Sequence, residues 1–302
     1  MEDRLVKFAK IVDAGSFTRA ARLMRISQPA LTAAVQKLER ELRADLLIRS
    51  RHSLALTAAG KIAYQTGKSL LAQTQNLQVQ ISQTGAQKLA VNIGMIDSIA
   101  ELLFADEHSI DELEEQARLS LTVDNSTRLI EQVEHDQLDA AFIAKPERLP
   151  SVLQAEVVAA EPLIFVAHRD IAGSVLDEMT KHQRVTSFLS YNQSSQTAHL
   201  ITDHFTEQGV NLRPAFYSTS PGIMLQLTLA KRGSAVLPFS LVRQQLPTGE
   251  LVSIDIGNSP RVLRHIVCIH RRGRIVPPQI ERSSKRIQQQ LQDLQHQSLD
   301  QK

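Results

Sequence analysis

Residues 15–60 read GSFTRAARLMRISQPALTAAVQKLERELRADLLIRSRHSLALTAAG. Just upstream, Leu5, Phe8, Ile11 and Val12 recur at three- and four-residue steps, the mark of an amphipathic first helix. Gly15 ends that helix, because glycine enters a left-handed cap without strain. Ser16 caps a second helix whose inner face is Phe17, Ala20, Ala21 and Met24; the paired alanines let another helix cross closely. Arg25, Ile26 and Ser27 make a turn. Ser27 caps a third helix, with Gln28 and Pro29 in its first turn, where the missing proline N–H does no harm. Leu31, Val35, Leu38 and Leu42 form its buried face. After Leu46-Leu47-Ile48 come Arg49, Arg51 and His52, then alternating Leu54 and Leu56, a two-stranded wing with basic residues near its tip. The pattern is a winged helix-turn-helix, and it implies DNA as a partner.

In that motif the outer N-terminal surface of the third helix enters the major groove. The candidate DNA contacts are Ser27, Gln28, Pro29, Thr32, Gln36 and Lys37, joined by Arg49 and Arg51 of the wing. Gln28 can offer a bidentate amide to adenine, and Thr32 can meet a thymine methyl or a phosphate. Lys37 and Arg40 suit the phosphate backbone. Arg4 and Arg43 read as solvated surface charges. The overall net charge of +2 hides an asymmetry. Residues 1–68 hold 13 Lys and Arg against 6 Asp and Glu, a surplus of seven, and the remainder holds 21 against 26, a deficit of five. A basic small domain beside a mildly acidic larger one suits a protein that meets phosphate at one end only.

Four motifs in order carry a resemblance: Gly15-Ser16-Phe17-Thr18-Arg19-Ala20-Ala21, Ser27-Gln28-Pro29-Ala30-Leu31, Leu38-Glu39-Arg40-Glu41-Leu42 and Leu56-Thr57-Ala58-Ala59-Gly60. The segment resembles the N-terminal domain of LysR-type transcriptional regulators. Two departures stand out. Ala33 and Ala34 occupy places where the family often has a polar or basic pair. Arg43 replaces the usual glycine after Glu-Leu, so the turn into the wing is either strained or different.

Residues 58–83 are helix-compatible, with Ile62, Leu70, Leu77 and Ile81 as apolar steps. A long lone helix with a thin apolar stripe is marginal in water and gains by packing on a partner helix. The resemblance implies that this linker pairs two chains; Gly67, Gln73 and Thr74 interrupt its heptad. From Lys88 onward, strands alternate with helices, the pattern of a parallel α/β sheet. The expected strands are Leu89–Ile93, Leu119–Val123, Asp139–Ile143, Pro162–Ala167, Val185–Phe188, Ala215–Ser218, Ser234–Pro238 and Arg264–His270. Helices are expected at Ile99–Phe104, Ser126–Leu138, Thr197–Gln208 and Gly222–Lys231, and the glutamine-rich tail from Gln288 is expected to fray. Leu138-Asp139-Ala140-Ala141 and Ala235-Val236-Leu237-Pro238 match recurrent positions of the family's effector domain. The fold class expected is therefore α/β: an N-terminal winged helix-turn-helix, a long linker helix and a two-lobed periplasmic-binding-protein-like effector domain. The boundaries are residues 1–57, 58–86 and 87–302, with lobe one at 87–160 plus 264–302 and lobe two at 161–263.

Ligands of such sheets bind beyond the carboxyl ends of strands, often at helix N-termini. Ser98, Ser126, Ser194, Ser195, Thr197 and Thr219 stand at such places and are the candidate effector contacts; each is also an ordinary cap residue. They suit a carboxylate or another small anion, to which Lys145 can add a cation. No phosphate loop, His-Glu-x-x-His or nucleophile elbow occurs, so neither enzyme activity, metal nor cofactor is expected. His265, Cys268 and His270 cannot converge on a flat strand. With one cysteine, no signal-like core in MEDRLVKFAK and no membrane-length apolar run, the expected location is the cytoplasm. The expected function is a transcriptional regulator, a homodimer or homotetramer that binds promoter DNA and answers a small-molecule effector. The alternative is a solute-binding-fold protein or enzyme whose N-terminal region is only an interaction module.

Overall fold

A computed structural model describes residues 1–48, 54–83, 89–105, 117–193, 195–255 and 262–299. The chain divides into two compact units, Met1–Leu89 with Gly273–Ile275, and Ala90–Arg272 with Val276–Lys302.

The first unit begins with three short helices, α1 (Glu2–Ala14), α2 (Phe17–Met24) and α3 (Gln28–Leu42). Gly15 ends α1 at φ 68°, and its N–H returns to the Val12 carbonyl. The Ser16 hydroxyl accepts from the Arg19 N–H at 3.1 Å, and the Ser27 hydroxyl from the Ala30 N–H at 3.3 Å. Leu5, Phe8, Ile11, Ala20, Ala21, Leu31, Val35 and Leu38 meet in one core. Burying each large side chain stabilises the unit by about 1.5–3 kcal/mol. The expected inner face of α3 is corrected at its end: Leu42 is 38% exposed, and Leu46, fully buried, takes the place in the core. The reason is the turn. Arg43 adopts φ 52°, a left-handed conformation that costs a side-chain-bearing residue about 1–2 kcal/mol. That swings the chain so that Leu46 points inward, where its N–H donates to Glu39 Oε1 at 2.8 Å. Strands β1 (Leu47–Ile48) and β2 (Ala55–Leu56) then pair antiparallel, Leu47 opposite Leu56.

Helix α4 (Ala58–Gln83) packs back on α1. Gly67 makes this possible: a Cβ there would lie 2.4 Å from the Leu5 carbonyl oxygen. Close to Gly67, Asp13 of α1 is gripped twice. Tyr64 Oη donates to Asp13 Oδ1 at 2.6 Å, and Lys68 Nζ to Oδ2 at 2.7 Å. Of the expected apolar steps, Leu70 packs against the core, while Ile62, Leu77 and Ile81 are exposed.

The second unit is built on one sheet. Its strands are β3 (Leu89–Met95), β4 (Ala117–Val123), β5 (Ala140–Ala144), β6 (Leu153–His168), β7 (Arg184–Tyr191), β8 (Asn211–Ser218), β9 (Ser234–Pro238), β10 (Leu251–Ser253) and β11 (Val262–Arg271). Their order is β4-β3-β5-β11-β6-β9-β7-β8, with β10 also on β6. Pairing is parallel within each flank (β3 with β5, β7 with β8 and β9) and antiparallel through the middle. At about 3.3 Å per residue, the 16 residues of β6 reach about 50 Å. Its first half lies beside β11 and its second half beside β9, so β6 and β11 carry the chain between two lobes.

The helices are α5 (Asp97–Phe104), α6 (Ser126–Glu134), α7 (Arg169–His182), α8 (Gln196–Glu207), α9 (Pro221–Leu229), α10 (Phe239–Val242) and α11 (Pro278–Leu299). Two expectations are corrected, and one helix is new. Helix α6 stops at Glu134, four residues early, because Asp136 turns left-handed at φ 57°. Helix α7 was not anticipated; its buried residues are only Val175 and Met179, too few to show a period. The glutamine-rich tail does not fray at Gln288: α11 runs to Leu299, and Ile280, Ile287, Leu291 and Leu294 are buried at helical spacing.

Two substitutions test this account by chemical unfolding of the full chain. Gly67→Val should destabilise the first unit by about 1–3 kcal/mol, because the backbone carbonyl it meets has no room to yield. Arg43→Gly should stabilise by about 0.5 kcal/mol, strain relief of about 1–2 kcal/mol being partly offset by the greater backbone entropy glycine loses on folding. A neutral Gly67→Val or a destabilising Arg43→Gly would contradict the assigned packing and turn.

Candidate DNA interface and effector cleft

Leu31, Val35 and Leu38 turn one side of α3 into the core, and Gln28, Pro29, Ala33, Gln36 and Lys37 are exposed on the other. Ser27 is exposed beside them and Thr32 is half-buried. Local bonds set two of these side chains. Thr18 Oγ1 of α2 donates to Gln28 Oε1 at 3.1 Å, and the Thr32 hydroxyl donates to the Gln28 carbonyl at 3.1 Å. Arg40 Nε donates to the Gln36 carbonyl. Arg4, expected to be solvated, is instead paired with Glu41 at 2.6 Å, and the bonded guanidinium holds the Glu41 carboxyl below its usual range. Arg49 and Arg51 lie outside the described residues.

The second unit contains a cleft of about 800 Å³. Ser98, Ser126, Ser195, Thr197 and Thr219 all line it, so five residues from four separate chain segments meet at one place. Ser194 lies outside the described residues. Four helices begin at the cleft: α5 and α6 from one lobe, α8 and α9 from the other. The caps of α6 and α9 are made by side chains, Asn125 accepting from the Arg128 N–H and Ser220 from the Ile223 N–H. The N-cap residues of α5 and α8, Ile96 and Ser195, make no side-chain cap bond. Asp97 at the start of α5 accepts from the Ser220 hydroxyl at 2.7 Å, a bond across the two lobes.

Lys145 is exposed and is not part of the lining; the cations of the cleft are Arg128 and Arg264. Sequence reasoning missed Arg264. It is 4% exposed, pairs with Glu161 on the neighbouring strand and donates to Ser98 Oγ at 2.8 Å. Ser240 in turn donates to Glu161. Arg264 and Tyr191 line the cleft, and the buried Arg264 Nε–H and Tyr191 hydroxyl have no partner within the protein. Burial pushes the Tyr191 phenol well up, so it stays a neutral donor. Desolvation, then the Asp97 charge, raises the pKa of Glu101 in α5. The available signal for Arg264 was an arginine set beside the apolar run Ile266–Ile269 of one strand, since a charge buried there demands a partner or a ligand.

The flat-strand argument about His265, Cys268 and His270 meets a bulge, because the register with β6 shifts between Ile266 and Val267. Even so His265 is exposed while Cys268 and His270 are buried, and burial pushes the Cys268 thiol up to about 12. Among the described residues no group of His, Cys, Asp and Glu is placed to hold a metal, and no helix is long and apolar enough to cross a membrane.

Comparison with known proteins agrees with this geometry. A family model described as a bacterial regulatory helix-turn-helix protein of the lysR family matches residues 3–61, and one described as the LysR substrate binding domain matches residues 88–292. The nitrogen assimilation regulatory protein nac of Klebsiella aerogenes is 29% identical over 247 residues, 80% of this chain and 79% of its own. Among solved structures, a full-length OxyR variant from Pseudomonas aeruginosa superposes with a TM-score of 0.66 at 21% identity, covering 95% of this chain and 94% of its own. Vibrio fischeri DarR, solved in complex with DNA, gives a TM-score of 0.53 at 23% identity, covering 97% and 99%. The chain belongs to the LysR family of transcriptional regulators, with a DNA-binding helix-turn-helix domain followed by an effector-binding domain.

Proposed function

We propose that this regulator reads operator DNA through the exposed face of α3 and answers a small carboxylate bound in the cleft. The observation that carries the second part is the convergence of Ser98, Ser126, Ser195, Thr197 and Thr219 on one cleft where four helix N-termini begin. Helix starts attract anions through free N–H groups and the helix dipole. On the DNA side, Ser27, Gln28, Pro29, Thr32 and Gln36 meet bases or the adjoining backbone, and Lys37 meets phosphate. With its hydroxyl engaged by the Gln28 backbone, Thr32 offers its methyl to a thymine methyl. Arg49 and Arg51 add wing contacts, and Ala33 and Ala34 leave these groups a larger share of binding.

The protein works in the cytoplasm as a homodimer or a pair of dimers, and it acts by binding, not by turnover. Helix α4 pairs between chains through Ile62, Leu77 and Ile81, which are 71%, 54% and 47% exposed. Two recognition helices then address two half-sites. Effector binding shifts the population of lobe arrangements, and with it the DNA-bound state.

Fluorescence anisotropy with a fragment of the gene's own promoter tests the DNA side. Gln28→Ala should cost about 1–3 kcal/mol on the cognate site and relax base preference. Lys37→Ala should weaken binding evenly across sequences and lower the salt slope by about one. Weak binding without sequence preference in the parent protein would reject the assignment. Sedimentation of Leu77→Glu should show a shift from dimer to monomer; an unchanged dimer would move the pairing surface elsewhere.

A further inference from the structure

Gln28 opens helix α3, and its side chain is not left to itself. Thr18, exposed in the first turn of α2, donates its hydroxyl to Gln28 Oε1 at 3.1 Å, across ten residues of sequence. The turn between the helices makes this reach possible. Arg25 closes α2 in a left-handed conformation at φ 53°, its N–H returning to the carbonyls of Ala21 and Arg22. Ser27 then caps α3 from an extended conformation. The backbone of Gln28 is tied as well, since its carbonyl accepts the Thr32 hydroxyl at 3.1 Å.

A free glutamine amide is two-sided. It carries an acceptor and a pair of donors, its side-chain torsions let them exchange places, and with both facing a base it pairs with adenine. Thr18 makes the amide one-sided. Oε1 is held toward α2, while Gln28 Nε2 has no partner in the protein among the described residues, so both of its N–H donors are left for DNA. In the major groove guanine shows two acceptors, N7 and O6, and thymine shows O4; the exocyclic amines of adenine and cytosine are donors. Adenine pairing would bring a second donor to the oxygen that Thr18 already occupies. A keto base uses only the nitrogen that is free. The Thr18–Gln28 bond is exposed, where water competes with it; docking on DNA excludes that water and strengthens the bond.

We propose that Thr18 is a positioning residue for base recognition: by holding Oε1 it turns the Gln28 amide nitrogen to the DNA and makes Gln28 a reader of a keto base, guanine or thymine, in place of the adenine expected of a free amide. This rests on α3 being the helix that reads the operator.

The test is fluorescence anisotropy of the full chain on a fragment of the gene's own promoter, with each base pair of the protected site varied in turn. The pair at which Gln28→Ala loses discrimination is the pair Gln28 reads. There, exchanging the keto oxygen for sulfur (6-thioguanine or 4-thiothymine) should weaken the parent about 2- to 10-fold, the worth of one net hydrogen bond. Removing the major-groove amine of the same pair (2-aminopurine for adenine, 2-pyrimidinone for cytosine) should leave it unchanged. Thr18→Val keeps the shape and loses the donor, at an exposed helix position where the two residues have similar propensity. It should lower discrimination at that pair by a similar factor and at no other, and add nothing to Gln28→Ala. Thr18→Ser, which keeps the hydroxyl, should retain the preference. If removing the amine weakens binding, the keto assignment is wrong. If Thr18→Val weakens all sequences evenly, or changes nothing, Thr18 does not position Gln28. If the parent shows no sequence preference, or Gln28→Ala leaves every preference intact, the reading of α3 falls and the role of Thr18 with it.

Discussion

Arg264 and Glu161 face each other across β11 and β6, directly paired in register and both almost fully buried. Removing two charges from water costs several kcal/mol per ion, and close pairing with further hydrogen bonds has to offset it. Here Ser98 and Ser240 supply those bonds, one to each partner. The pair sits where the two long strands pass from one lobe to the other. A one-residue slip of β11 against β6 would turn Arg264 to the opposite face and leave Glu161 buried without its partner. The pair therefore holds the register of the central strands and, through Ser98, the start of α5. The cleft is assembled around it.

The parts of this fold that could be read from sequence are those fixed by local chemistry. Gly15, Ser16 and Ser27 declare helix ends because a left-handed cap and a hydroxyl acceptor act within three or four residues. The cleft serines and threonines were legible for the same reason, since each follows a strand and opens a helix. What stayed hidden depends on partners distant in sequence. Gly67 reads as a break in a heptad until α1 is seen pressed against it. Residues 153–161, LQAEVVAAE, mix valines with alanines and glutamates that strands disfavour, and they become a strand because β11 lies alongside. Leu42 fits the period of α3, yet Arg43 ends the helix before that period can decide the matter. The tail from Gln288 read as fraying because glutamines dominate it, although Leu291 and Leu294 continue the helical stripe of Ile280 and Ile287.

The same division applies to the functional site. Arg264 was passed over because its significance lies mostly in what surrounds it, and an arginine in a strand sequence has no period of its own. Lys145 drew attention only because it follows a strand, but its exposed position keeps it out of the cleft. Charge that matters to a small ligand is charge that water does not screen, and burial separates the two residues clearly.

Signalling from such a cleft requires that the ligand interact differently with two arrangements of the lobes, since equal affinity for both shifts nothing. The geometry offers two sources of difference. The Asp97–Ser220 bond joins the lobes without any ligand and favours the approach of their helix starts. Arg264 lies on a strand shared by both lobes and lines the cleft, its Nη2 holding Ser98 and Glu161. A carboxylate that engages Arg264 acts on the central strand pair itself. Its binding energy would then depend on the lobe arrangement, because the donor it uses is positioned by the same strands that join the lobes. On the proposed reading, the buried guanidinium couples a ligand in the cleft to the strands that join the lobes.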